Sequence, residues 1–156
     1  PLIFFSDYYE LREGKQEHDN KLLKIKRLML SPLKVNAFQS SRFIRRRILS
    51  LGCPICCPST TFVKGNLPNP VFEYGYKSDL DWQAWEKLSK LKGEFLYCKR
   101  PLMSHRIHVE SATSQIIGDN ARTQEDFEMF QKFWPQSIAK FLTKFYATSQ
   151  KSNEIE

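Results

Sequence analysis

Between Ser78 and Gly93 the chain reads SDLDWQAWEKLSKLKG, and few folded states satisfy that string. Trp82, Trp85 and Leu88 recur every third residue, one stripe of an amphipathic helix that a core has to cover. Ser78 or Asp79 suits the N-cap, because a short oxygen-bearing side chain accepts an orphan backbone N–H, and Gly93 suits the stop. The spacing therefore predicts a helix from this cap to about Lys92. Asp79 and Asp81 fall at its start, where carboxylates complement the helix dipole. Two acids there need no chemistry. They also stand where a catalytic carboxylate can be fixed, and the sequence around them decides which reading to prefer.

The remaining elements alternate in type. LIFF (2–5) reads as a strand ending in a polar turn, with a second short strand before Gly14. Residues 18–34 mix apolar and basic positions and are interrupted by Pro32. Residues 36–52 read as a helix, with Phe38, Phe43, Ile44, Ile48 and Leu51 near helical spacing and Gly52 as its stop. CPSTTFVKG predicts a buried strand, and NLPNPVFEYGYK a loop. GEFLYCKR predicts a strand, PLMSHRIHVE an extended segment, and TSQIIGDNARTQ a loop or short helix. Thr123 opens a helix with a capping-box-like start, aromatic at 127, 130, 133 and 134, and a last helix spans SIAKFLTKFYATS. The expectation is one α/β domain over 1–150, helix-rich with a few strands, and a frayed tail at 151–156.

Composition narrows the class. With 41% hydrophobic residues, including 12 Phe, 6 Tyr and 3 Trp, the chain can bury a real core and is not globally disordered. The net charge is +7, and nine Lys/Arg lie from Lys21 to Arg47, with Lys15 just before and almost no acid between. Such a block suits a phosphate-rich partner or an anionic membrane surface; the bland alternative is a solvated helix face. No apolar run reaches the ~20 residues of a membrane span, and no secretory signal is present. The chain opens on Pro and enters an apolar run at once, as an excised piece does, so the natural protein is expected to continue upstream. CPICC (53–57) has half the spacing of a zinc knuckle. No second pair follows, which leaves Cys98 with His105 or His108 to complete a site, or reduced buried thiols in a cytosolic protein.

Taken in order, several segments resemble the C-terminal, acceptor-side half of a family 2 inverting glycosyltransferase with the GT-A fold. They are Asp81-Trp82-Gln83-Ala84-Trp85-Glu86-Lys87-Leu88, then Gly93, then the run from His105 to Thr113. SDYYE and CPSTTFVK match strands of that half, and the likeness covers about residues 3–150. The resemblance implies that Asp81 is the general base deprotonating the acceptor hydroxyl, with Asp79 as reserve because the family's Glu falls on Leu80 here. Asp79-Leu80-Asp81 is itself an Asp-x-Asp, the family's metal pattern, but it follows a loop and enters a helix, which fits the base element.

His108 matches a histidine that helps bind a divalent metal, Mn²⁺ or Mg²⁺, in many such enzymes; otherwise it is structural. Arg106 is placed to pair with phosphate or with an acid, and Trp82 and Trp85 to stack on sugar, although their stripe reads first as core. The implied partners are a nucleotide-sugar donor and a glycan or lipid-linked acceptor, at the cytoplasmic side and peripherally at the inner membrane face of a bacterium. The nucleotide-binding strands and metal motif would precede Pro1, leaving the chain alone inactive and its LIFF segment exposed for self-association. The competing reading is a basic binding module for nucleic acid or an anionic membrane, stabilised by zinc. Nucleic acid is disfavoured, because basic and aromatic residues do not interleave in a recognisable pattern.

Overall fold

The computed structural model describes residues 1–107 and 120–151. Its axis is a long strand, β1 (Ile3–Arg12), which turns through Glu13 and Gly14, both at positive φ, into β2 (Lys15–Glu17). β2 and β3 (Thr60–Phe62) pair antiparallel along one edge of β1, at its C-terminal and N-terminal ends respectively. β4 (Phe95–Ile107) runs parallel along the other edge, from Ile3↔Phe95 to Arg12↔Ile107. Register shifts on both sides of Asp7 accommodate Pro101, which has no N–H to give to a ladder. Ile3, Phe5, Ser6, Asp7 and Tyr8 are all buried, so β1 is covered on both faces.

That corrects the expectation for LIFF. Leu2, Ile3 and Phe5 belong to the core and only Phe4 is partly exposed, so this segment offers no patch for self-association. An apolar run at a chain end looks exposed until its partners arrive from residues 60–62 and 95–107, which no local pattern announces. The strand also continues past the polar SDYYE, and the extended segment from Pro101 is the second half of β4. β3 is shorter and more exposed than its apolar letters suggested.

Six α-helices surround the sheet among the described residues: α1 (Lys21–Leu30), α2 (Asn36–Gln39), α3 (Arg42–Leu49), α4 (Leu80–Ser89), α5 (Asn120–Gln131) and α6 (Gln136–Lys151). The mixed α/β class, helix-rich with few strands, holds. The single helix expected over 36–52 is two, because the Ser41 hydroxyl caps a new one by accepting from Ile44 N–H at 3.3 Å. Phe38, Phe43 and Leu51 then point to solvent, while Arg45 is buried with its guanidinium 4.9 Å from the Phe95 ring centre and donating to Leu91 O at 2.8 Å. Ser152 to Glu156, most of the expected tail, lie outside the described residues.

The core gathers where α4 crosses the sheet. Trp82, Trp85 and Leu88 are fully buried, as their stripe predicts. Trp82 donates from Nε1 to Leu49 O at 3.0 Å, and Trp85 stacks on Phe62 at 5.7 Å. Gly93, at φ 141°, ends the turn after α4 with room for no side chain, since a Cβ there would lie 2.7 Å from Leu2 Cγ. This close approach fixes the helix against the start of β1.

Candidate active site

The start of α4 is held from outside. Asp79 does not cap the helix with its own side chain. Glu125 of α5 does the work in its place. Its carboxylate accepts from Lys77 N–H and Ser78 N–H at 2.8 Å, from the Ser78 hydroxyl at 2.7 Å and from Asp79 N–H at 3.0 Å. Burial opposes the Glu125 charge, but these donors outweigh it and hold the carboxyl below its usual range. The sequence expectation of a Ser78 or Asp79 cap located the helix correctly and missed what satisfies it.

Asp79, buried, hydrogen-bonds to Asp126 of α5, with Arg122 close enough to act on both charges. Two hydrogen-bonded carboxyls need a proton between them. Burial first, and then the neighbouring Asp126, push the Asp79 carboxyl far above the ordinary range. Asp79 is sealed and shares its proton.

Asp81 meets different company. Its Oδ1 accepts from Trp82 N–H at 2.7 Å, and the Cys53 thiol donates toward Oδ2 at 3.8 Å. Lys26, from α1, is its nearest cationic influence. Burial raises the Asp81 pKa, with the Trp82 N–H and Lys26 pulling the other way. Lys26 donates from Nζ to the Tyr8 hydroxyl of β1 at 3.1 Å and also acts on Cys53, Cys56, Tyr146 of α6 and His105 of β4. His105 stands edge-on to Tyr8 at 5.9 Å, and burial together with Lys26 lowers its pKa. Thus β1, β4, α1, α4, α6 and the Cys53 loop each send a titratable group to one half-buried cluster.

The other sequence-predicted residues lie elsewhere. Trp82 and Trp85 have no exposed ring face to offer a sugar. Arg106 is exposed on β4 opposite Leu11, and no contact joins it to Asp79 or Asp81 among the described residues. His108 lies outside the described residues. Among those described, no three His, Cys, Asp or Glu converge on a cation position. All four cysteines are free, and burial raises the Cys53, Cys56 and Cys57 pKa values, Cys56 to about 11.

Lys26 is the residue that sequence reasoning missed. A signal for it exists: Leu23, Lys26, Arg27 and Leu30 stand at i, i+3, i+4 and i+7, the inward stripe of α1. Two cations on an apolar stripe announce buried partners. Arg27 finds Asp7 at 2.8 Å, and Lys26 finds Tyr8. No family model matches the chain, and no curated protein or solved structure matches it.

Proposed function

We propose that this chain forms the acceptor side of an inverting sugar transferase in which Asp81 is the general base. The observation that carries the reading is the setting of Asp81: half-buried at a helix start, fixed at both oxygens and raised in pKa by burial. A carboxylate shifted toward neutral pH is a stronger base than one in water, yet Lys26 keeps it available in its charged form. The acceptor hydroxyl gives its proton to Asp81 while its oxygen bonds to the anomeric carbon. The bond from that carbon to the nucleotide diphosphate breaks on the opposite face, and the electron pair leaves with the phosphate.

Asp79 suits this role less, because Asp126 already shares its proton. Trp82 and Trp85 serve by holding α4 in place. By the resemblance, Arg106 is assigned to donor phosphate and His108 to the divalent ion; the described residues make no cage for that ion, and the step above is written without it. The test is transfer from a panel of nucleotide-sugars by the natural protein carrying this sequence, beside its Asp81→Asn and Asp79→Asn variants. Loss with Asp81→Asn alone is expected. Wild-type turnover by a folded Asp81→Asn protein rejects the assignment.

A further inference from the structure

Two stretches of the chain contain no carboxylate: residues 20–72 and residues 129–153. The fold joins them along one seam. Trp134 donates from Nε1 to Ser50 O at 2.7 Å, and the Arg46 guanidinium lies 4.9 Å from the Phe133 ring centre. The Arg47 guanidinium lies 5.1 Å from the Trp134 ring and 5.4 Å from the Phe43 ring. Gly52 packs so close to Tyr146 that a Cβ would lie 2.9 Å from its ring, and Leu51 and Phe145 are the residues just before each of these two in the chain.

The surface beside the seam is apolar and basic together. Of the twelve large apolar side chains that are exposed among the described residues, nine lie in these two stretches, so the exposure is concentrated rather than scattered. α6 buries Ala139 and Thr143 and turns Ile138, Phe141 and Phe145 to solvent as one stripe, with Lys140 and Lys144 on its flank. Next to α3 a groove of about 140 Å³ runs between Met29, Pro32, Ile44, Ile48 and Leu51, with Arg47 on its rim. Arg47 is exposed and makes no ion pair among the described residues. Phe43, Phe141 and Phe145 are each about two-thirds exposed, where a monomer in water gains nothing from them.

We infer that the seam between α3 and α6 is a docking face for an anionic lipid bilayer. Charge complementarity selects an anionic partner, since these two stretches carry no acid of their own and Arg47, on the groove rim, has no ion pair among the described residues. The apolar half selects lipid. Nucleic acid stacks bases on rings but gains nothing from Leu51 and Ile138, whereas acyl chains accept aliphatic and aromatic groups alike. Arg47 lying against Trp134 and Phe43 suits an interface at which rings enter and guanidinium stays among headgroups. Among the described residues no helix is long and apolar enough to cross a membrane, so the contact is one of lying on the surface. The inference does not depend on sugar transfer.

Co-sedimentation of the full chain with vesicles tests it, using phosphatidylcholine alone and phosphatidylcholine mixed with phosphatidylglycerol. Binding should require phosphatidylglycerol and weaken as salt is raised. The double change Phe141→Ser, Phe145→Ser should weaken binding about tenfold or more, and Arg47→Gln severalfold. Tyr74→Ser, fully exposed and outside both acid-free stretches, should leave binding unchanged. Leu51→Ser provides the same readout should the double variant lose its circular dichroism. Equal binding to neutral vesicles, no binding at all, or undiminished binding by folded Phe141→Ser, Phe145→Ser or Leu51→Ser protein would overturn the assignment, as would displacement from vesicles by a DNA duplex.

Discussion

Asp79 and Asp81 are separated by one residue, and a helix turns about 200° over that interval, so they meet different parts of the molecule. Asp79 faces α5, where Asp126, Arg122 and Glu125 close over it. Asp81 faces α1 and the Cys53 loop, where Lys26 and Cys53 leave it half-buried. Burial raises both carboxyls, but for Asp79 the next influence is another carboxyl and for Asp81 it is a backbone N–H and an ammonium. One helix start thus carries an acid that is locked and an acid that is poised. Which side an acid faces, more than its place in an Asp-x-Asp, assigns its role.

The largest expected effect separates the two by activity. Asp81→Asn should lower transfer by about 10²-fold or more, the scale of a lost general base, with a urea midpoint close to wild type. Asp79→Asn should keep transfer within about severalfold, because burial and Asp126 hold that carboxyl in its protonated form, which cannot take a proton from an acceptor. Reversal of the two outcomes would exchange the roles of the two sides.

Next in size is the cap. Glu125→Ala removes the acceptor for three backbone N–H groups and one hydroxyl at the start of α4. Stranded donors of this kind cost about 2–3 kcal/mol, measured by urea unfolding. Glu125→Gln should recover part of it, since an amide oxygen still accepts. A loss below about 0.5 kcal/mol for Glu125→Ala would mean that water caps the helix equally well.

This dependence explains what the sequence disclosed and what it withheld. The Trp82, Trp85, Leu88 stripe is local, and it placed α4 and its core face correctly. The cap lies in residue 125, some 46 positions beyond Asp79, and no spacing rule links them. LIFF read as exposed for the same reason: the strands that bury it come from distant segments. Lys26 was legible as a charge on an inward stripe, but its partners come from β1, α4 and α6. The exposed Phe43 and Leu51 looked like core positions because periodicity cannot see the break at Ser41. Local pattern fixes which face of an element turns inward far better than it fixes what waits there.

A third measurement sharpens the locked side. The Asp79 and Asp126 carboxyls are both raised, so the folded state holds protons that the unfolded chain releases near pH 4, the ordinary carboxylate range. For a group raised on folding, the stability it contributes is fully present below the unfolded pKa and is lost as pH rises through the folded value. Stability should therefore fall from about pH 4 toward neutrality, with a slope of at most about 1.4 kcal/mol per pH unit for one proton. Asp126→Asn should flatten that slope, because an amide donates to Asp79 and favours its charged form. An unchanged slope would deny the shared proton.

The smallest effect tests the poised side, through Lys26. Its ammonium favours the charged form of Asp81 and of Cys53, so its removal lets burial act unopposed on both. Lys26→Met should move the acid limb of the transfer pH profile upward by about half a unit to one unit, since Asp81 would hold its proton to higher pH. The same change should slow alkylation of Cys53 at fixed pH, because less of it is thiolate, and this readout requires no substrate. Lys26→Arg keeps the charge and should restore both. A purely structural lysine, needed only to bond the Tyr8 hydroxyl, would change stability while leaving the pH profile and the thiol rate where they were. The two readouts must move together, because one ammonium acts on two acids that touch each other across 3.8 Å.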